Sequence, residues 1–139
     1  NASRAQLVRE VIRPALAAGE IVLCDRFYDS SIVYQGVGRG LDPKQVQRVI
    51  DFAVGDTLPE LTLLLQIPLE TSEERRARRA DTDRFEQSDR AFFERVEQGY
   101  QDLAAAHPVR IHAINADLSI EAVETEIWKI VSNTLNNRE

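Results

Sequence analysis

The sequence predicts an α/β fold built on a parallel sheet. Three observations carry that expectation. Short strand-like segments at residues 20–24, 61–67 and 109–114 alternate with longer segments of helical period. In the first of them Ile21 to Cys24 run without a polar interruption, which suits a parallel strand covered on both faces. No repeat, low-complexity tract or Pro/Gly-rich stretch divides the 139 residues, a length typical of one domain. In such sheets the crossovers are right-handed, and ligands bind beyond the carboxyl ends of the strands. The loops to inspect are therefore 25–40, 68–86 and 115–118.

The elements follow in order. Ala5, Val8, Ile12, Ala15 and Leu16 recur at three and four, which predicts a helix to about Ala18 with Gly19 as its C′ glycine. Pro14 is a candidate kink. Residues 20–24 form the first strand, ending in Asp25-Arg26. Residues 27–35 read as a turn or short helix, and 36–40 as a Gly-rich loop. Asp42 as N-cap, Pro43 at N1 and Gln45 at N3 start a helix that ends near Val54, before Gly55. Residues 61–67 are a second strand, closed by Pro68. Thr71 with Glu74 is read as the cap of the next helix. Residues 88–106 form a long helix with Phe92, Val96 and Leu103 on one side. Residues 109–114 are the third strand. Residues 119–135 are an amphipathic helix with Ile120, Val123, Ile127 and Ile130 inward, and Trp128 is expected to pack.

Composition narrows the function classes. Hydrophobic residues are 43% and charged residues 29%, which excludes disorder and collagen. No apolar run reaches membrane-spanning length, and the first residues hold no signal-peptide h-region. A net charge of −6 argues against nonspecific nucleic-acid binding. The single cysteine, Cys24, excludes an internal disulfide and points to a reducing compartment, most simply the cytoplasm. It is read as a small buried hydrophobe. His107 and His112 are isolated and read as structural. The chain starts without Met and is already helical, so it reads as entered partway through a longer protein. Of 17 basic residues 15 are Arg, the better bidentate clamp for phosphate.

Four apolar residues followed by Asp25 resemble a Walker-B strand, whose carboxylate holds a Mg²⁺-bound water in phosphoryl transfer. A carboxylate there equally caps the following turn. Arg26 adds an anion clamp at the same strand mouth, or an ion pair to a neighbouring acid. Ser30, Ser31 and Gln35 offer groups for a base edge or sugar, and Tyr34 a ring face. The same segment also reads as a helical turn with Tyr34 partly in the core. The glycines at 36, 38 and 40 match neither G-x-G-x-x-G nor G-x-x-x-x-G-K-[ST], and no Gly-Lys pair occurs in the 139 residues. Arg75, Arg76, Arg78, Arg79 and Arg84 crowd one stretch after a strand mouth. That is either a solvated face or a cationic lid over a transferring phosphoryl group.

Taken in order and spacing, SRAQL over 3–7, DRF over 25–27, SSIVYQGVGRG over 30–40, PELTL over 59–63 and DRFE over 83–86 resemble the thymidylate kinases of bacterial type. The resemblance spans nearly the whole chain. It implies a P-loop NTPase-like three-layer sandwich and transfer of a phosphoryl group from ATP to dTMP with Mg²⁺. It also implies a homodimer, with no nucleic-acid or membrane partner. Arg4 would bond the thymine carbonyl, and Arg26 would clamp the dTMP phosphate. Asp25 would serve the Mg²⁺ side through water. Ser30, Ser31 and Gln35 would line the base and sugar, and Tyr34 would press on the deoxyribose. The lid, about residues 72–86, would bring Arg79, with Arg75 second, to ATP, and Arg84 would support it. The family's P-loop and its strand have no counterpart here. The resemblance therefore implies that residues 1–139 are the C-terminal two thirds of such an enzyme. In that family the P-loop strand lies between the strands matching 20–24 and 61–67, so this piece is not expected to stand alone as a stable kinase. The alternative is a noncatalytic module of the same fold that binds a nucleotide or a partner and transfers nothing.

Overall fold

The computed structural model describes residues 1–78 and 90–136. They fall into two compact units, 1–58 and 59–139.

The first unit is helical. Helix α1 (Ala2–Leu7) runs through a π-helical stretch, Val8–Ile12, into α2 (Arg13–Ala17). Pro14 has no N–H to give the carbonyl four residues back, and the widened turn precedes it. The expected kink is thus a change of helical register. Gly19, at φ +79°, ends the helix where the sequence placed its stop. Ala5, Val8 and Ile12 are buried as the spacing requires, whereas Leu16 is exposed. Helix α3 (Tyr28–Ser31) continues as π-helix over Ile32–Gly38. Gly36 and Gly38 are therefore helical and buried, not part of a loop. Helix α4 (Pro43–Val54) begins as read: the Asp42 carboxylate accepts from the Lys44 N–H at 3.0 Å. It ends at Gly55, φ +58°. Ala5, Val8, Ile12, Tyr28, Ile50, Ala53 and Val54 form the core of this unit, with Val22, Phe27, Ile32 and Val46 packed around it. Burying side chains such as Val8 and Ile50 is worth about 1.5–3 kcal/mol each.

Residues 20–24 do not form the expected strand. They join no ladder among the described residues, and only Val22 turns into the core. Ile21 and Leu23 are 71% and 95% exposed, and Cys24 is exposed rather than buried. An apolar run marks a segment suited to a sheet interior, but ladder pairing must supply its backbone partners.

The second unit carries the parallel sheet. Strand β1 (Thr62–Gln66) pairs with β2 (Ile111–Asn115) in the register Thr62 to Ile111 through Gln66 to Asn115. The pairing extends past both ends, with Thr62 N–H donating to the Arg110 carbonyl and Ala116 N–H to that of Gln66, each at 2.8 Å. Val109 lies outside β2 and is 90% exposed, because residues 107–110 turn instead: the Arg110 and Ile111 amides both bond the His107 carbonyl. Helix α5 (Leu69–Ala77) starts directly after Pro68, whose carbonyl accepts from the Ser72 N–H. The expected cap at Thr71 is therefore already inside the helix. Helix α6 (Arg90–Ala106) buries Phe92 and Val96 as read, with Leu103 half-buried. In α7 (Ile120–Asn136) Val123, Ile127 and Ile130 are half-buried, but Ile120 and Trp128 are exposed, against expectation. A two-stranded sheet offers such a helix a narrow surface. No helix among the described residues is long and apolar enough to cross a membrane.

Candidate functional site

In the first unit the chain from Asp25 to Tyr34 brings five of the expected residues together. Phe27 ends its approach, and α3 then presents Ser30 and Ser31 as adjacent residues of a single helical turn. Arg4, projecting from α1, donates to Ser31 Oγ at 2.9 Å and to the Phe27 carbonyl at 3.1 Å. It also bonds the Asn1 side chain and lies 5.7 Å from the Phe27 ring centre. Burial lowers the Arg4 pKa from its ordinary value, a shift that nearby Cys24 opposes. The guanidinium stays charged at neutral pH.

Arg26 donates from Nε to Ser30 Oγ at 3.2 Å, and its guanidinium lies 4.6 Å from the Tyr34 ring centre. Its backbone is left-handed at φ +60°, the one positive φ outside glycine among the described residues. That conformation costs a bulky residue about 1–2 kcal/mol. The guanidinium is thus held over a ring face by a backbone that would otherwise relax. Asp25 is exposed beside it. Tyr34 and Gln35 are half-buried in the π-helical stretch.

Among the described residues no group of three His, Cys, Asp or Glu side chains is placed to hold a metal ion. Asp25 is one exposed carboxylate, the donor type that could accept from a water of a hydrated divalent cation.

In the second unit Arg75, on α5, pairs with Asp117 at 3.5 Å. This joins two of the three loops singled out, both beyond the carboxyl ends of the parallel strands. Arg79 and Arg84 lie outside the described residues.

Several contributors were not foreseen. Phe27 was read only as part of the DRF motif, yet it supplies a carbonyl and a ring to Arg4. Asp29 is buried at the foot of α3, and no sequence signal distinguished it. Arg90 bonds Glu70, Glu73 and Glu94 at 2.9, 2.8 and 3.0 Å and ties α5 to α6. The i,i+3 spacing of Glu70 and Glu73 is the signal that could have found it.

Comparison with known proteins supplies the family. The family model described as thymidylate kinase matches residues 1–127. The thymidylate kinase of Deinococcus radiodurans is 48% identical over 132 residues, covering 95% of this chain and 64% of that protein. That of Exiguobacterium sibiricum is 47% identical, covering 99% and 65%. The chain thus spans a little under two thirds of these relatives' length. The crystal structure of thymidylate kinase from Ehrlichia chaffeensis superposes with a TM-score of 0.69 at 29% identity, covering 94% of this chain and 60% of that one. The fold is accordingly the P-loop NTPase-like α/β fold of that structure. With the family's motifs in order, and with Arg4 and Arg26 gathered on Ser30 and Ser31, the chain belongs to the thymidylate kinase family.

Proposed function

We propose that this chain carries the acceptor side of an ATP-dependent dTMP kinase, which transfers the γ-phosphoryl group to dTMP and yields dTDP and ADP. One observation carries the reading. Arg4 and Arg26 converge on adjacent serines, and both are held by neutral groups, so their charge remains available to an anion. In this reading Arg26 clamps the dTMP phosphate and Arg4 reaches the thymine carbonyl. Ser30, Ser31 and Gln35 line the base and sugar. Tyr34 lies against the deoxyribose, where a 2′-hydroxyl would clash.

The acceptor phosphate is already anionic at neutral pH, so no strong general base is required. Positioning and charge neutralisation supply the catalysis. Asp25 would hold one water of the Mg²⁺ that comes with ATP, a cation that would supply charge neutralisation at the phosphates. Arg75 and Arg79 serve the ATP side, and Arg84 supports the segment that bears them. The chain acts as one domain within a homodimer in the cytoplasm.

The test is an ADP-release assay on the parent enzyme, P-loop included, with ATP, Mg²⁺ and dTMP, set against dUMP, dCMP and UMP. Turnover with a clear preference for dTMP is the expected result. Turnover that favours another monophosphate would refute the substrate. Binding without turnover would favour the noncatalytic module.

A further inference from the structure

We infer that Tyr34 is a positioning residue for the Arg26 guanidinium, in addition to lying against the sugar. The inference rests on the acceptor-site reading above and goes beyond it by assigning the phosphate increment of binding partly to a ring. Arg26 has two anchors on the page, the Ser30 hydroxyl at 3.2 Å and the Tyr34 ring at 4.6 Å from the guanidinium carbon. The hydroxyl holds Nε, and among the described residues the two terminal nitrogens of the fork carry no hydrogen bond and can face a phosphate. A ring under the guanidinium plane restrains the rotation that a single hydrogen bond permits. It does so without using a donor and without neutralising the charge. A carboxylate in the same place would hold the arginine as firmly but compete with the phosphate.

Geometry explains why the ring is available. Ser30 and Tyr34 lie four residues apart on one helical run, α3 continued by the π-helical stretch, so both flank one side chain reaching across it. The left-handed backbone of Arg26 aims the side chain back along that run. Arg26, Ser30 and Tyr34 act as one unit: backbone aim, tether and ring platform.

The steric role and the positioning role of Tyr34 are separable by ligand. The steric role concerns the sugar, which dTMP and thymidine share. The positioning role concerns the phosphate, which only dTMP has. The experiment measures Kd for dTMP and for thymidine by calorimetry on the wild-type protein and on Tyr34→Phe, Tyr34→Leu and Tyr34→Met. The quantity read is the ratio of the two affinities in each protein. Both ligands are titrated into the same preparation, so an unfolded fraction cancels from the ratio. Tyr34→Met covers the case in which the leucine variant fails to fold.

The phenylalanine variant keeps the ring and should keep the wild-type ratio. The leucine and methionine variants should lose about two- to fivefold of the preference for dTMP, the size of an exposed cation–π contact. An unchanged ratio in the aliphatic variants would overturn the inference and leave the kinase reading standing. A wild-type ratio of one would overturn both, because Arg26 would then contribute nothing to phosphate binding.

Discussion

Arg26 allows a prediction in which glycine is more stable than alanine, the reverse of the usual order. Arg26→Ala removes the hydrogen bond to Ser30 and the contact with the Tyr34 ring, each worth about 0.5–1 kcal/mol at an exposed site. It keeps a Cβ on a backbone at φ +60°. The expected loss is about 1–2 kcal/mol. Arg26→Gly forfeits the same contacts but recovers about 1–2 kcal/mol of left-handed strain, partly offset by the roughly 0.5–1 kcal/mol of extra entropy that glycine loses on folding. Its net loss should lie between about zero and 2 kcal/mol, below that of the alanine variant. The glycine variant should therefore unfold a few degrees above the alanine variant, at roughly 3–5 °C per kcal/mol for a chain of this size. Activity should behave differently. If Arg26 clamps the acceptor phosphate as proposed, either variant removes two charge-assisted bonds to it, about 1.5–3 kcal/mol each. That corresponds to a fall of roughly 10²–10⁴ in kcat/KM for dTMP, the same in both variants. The assays are a thermal melt and the coupled kinase reaction on the same preparations. An alanine variant more stable than the glycine variant would refute the strained backbone. A wild-type kcat/KM in either variant would refute the phosphate clamp.

Other outcomes test the rest. Ile50 is 1% exposed in the core of the first unit, so Ile50→Ala should cost about 2–5 kcal/mol in a denaturant titration without altering the ratio of dTMP to thymidine affinity. The Glu70 carboxyl sits below its ordinary pKa, first because its own backbone N–H bonds it and next because Arg90 does. A depressed carboxylate contributes stability that is present above its unfolded pKa and lost as pH falls through the folded one. Glu70→Gln should therefore lower the thermal midpoint slightly at pH 7, and the difference should vanish in acid below the carboxylate range. A difference that persists there would refute the ion-pair origin. Arg75→Ala should raise KM for ATP about tenfold with KM for dTMP unchanged, as read in steady-state kinetics. Asp117→Asn, which removes an exposed ion pair, should change stability by less than about 1 kcal/mol in the same melts.

The sequence was most legible where structure is decided within a few residues. Gly19 and Gly55 stop their helices, and Asp42-Pro43 starts one, because caps and positive φ values are local requirements. It was least legible where a segment's fate depends on what lies beside it. Residues 20–24 have the composition of a buried strand, yet Leu23 stands almost wholly exposed because no ladder encloses it. Trp128 and Cys24 were read as buried for the same reason, since apolarity shows preference but not surroundings. The candidate site shows the same division. Ser31 and Arg4 are 27 residues apart, and no periodicity relates them. Only the order of motifs suggested that they meet. Asp29 carries no pattern of its own, and its burial became visible only once α3 was seen to start at Tyr28.

The candidate binding arginines differ from the ion-paired ones in the charge of their partners. Arg13 bonds Asp56, Arg78 lies near Glu74, and Arg90 is ringed by Glu70, Glu73 and Glu94. Each of those guanidiniums already has a carboxylate within ion-pair distance. An incoming phosphate would have to replace an existing ion pair to gain from it. Arg4 and Arg26 are instead held by hydroxyls, a carbonyl, a side-chain amide and aromatic faces. Such partners fix a guanidinium in place while leaving its field intact, which is the condition for binding an anion. Adjacent helical side chains diverge by about 100°. Ser30 and Ser31 therefore hold the two guanidiniums in different directions, which suits their proposed roles at two ends of one ligand. Arg75 belongs to the other class, because Asp117 already occupies it. It must exchange that carboxylate for a phosphate. Under the proposed roles, its contribution to ATP binding would be a difference between two anions, whereas that of Arg26 to the acceptor phosphate would be close to the full strength of its contact.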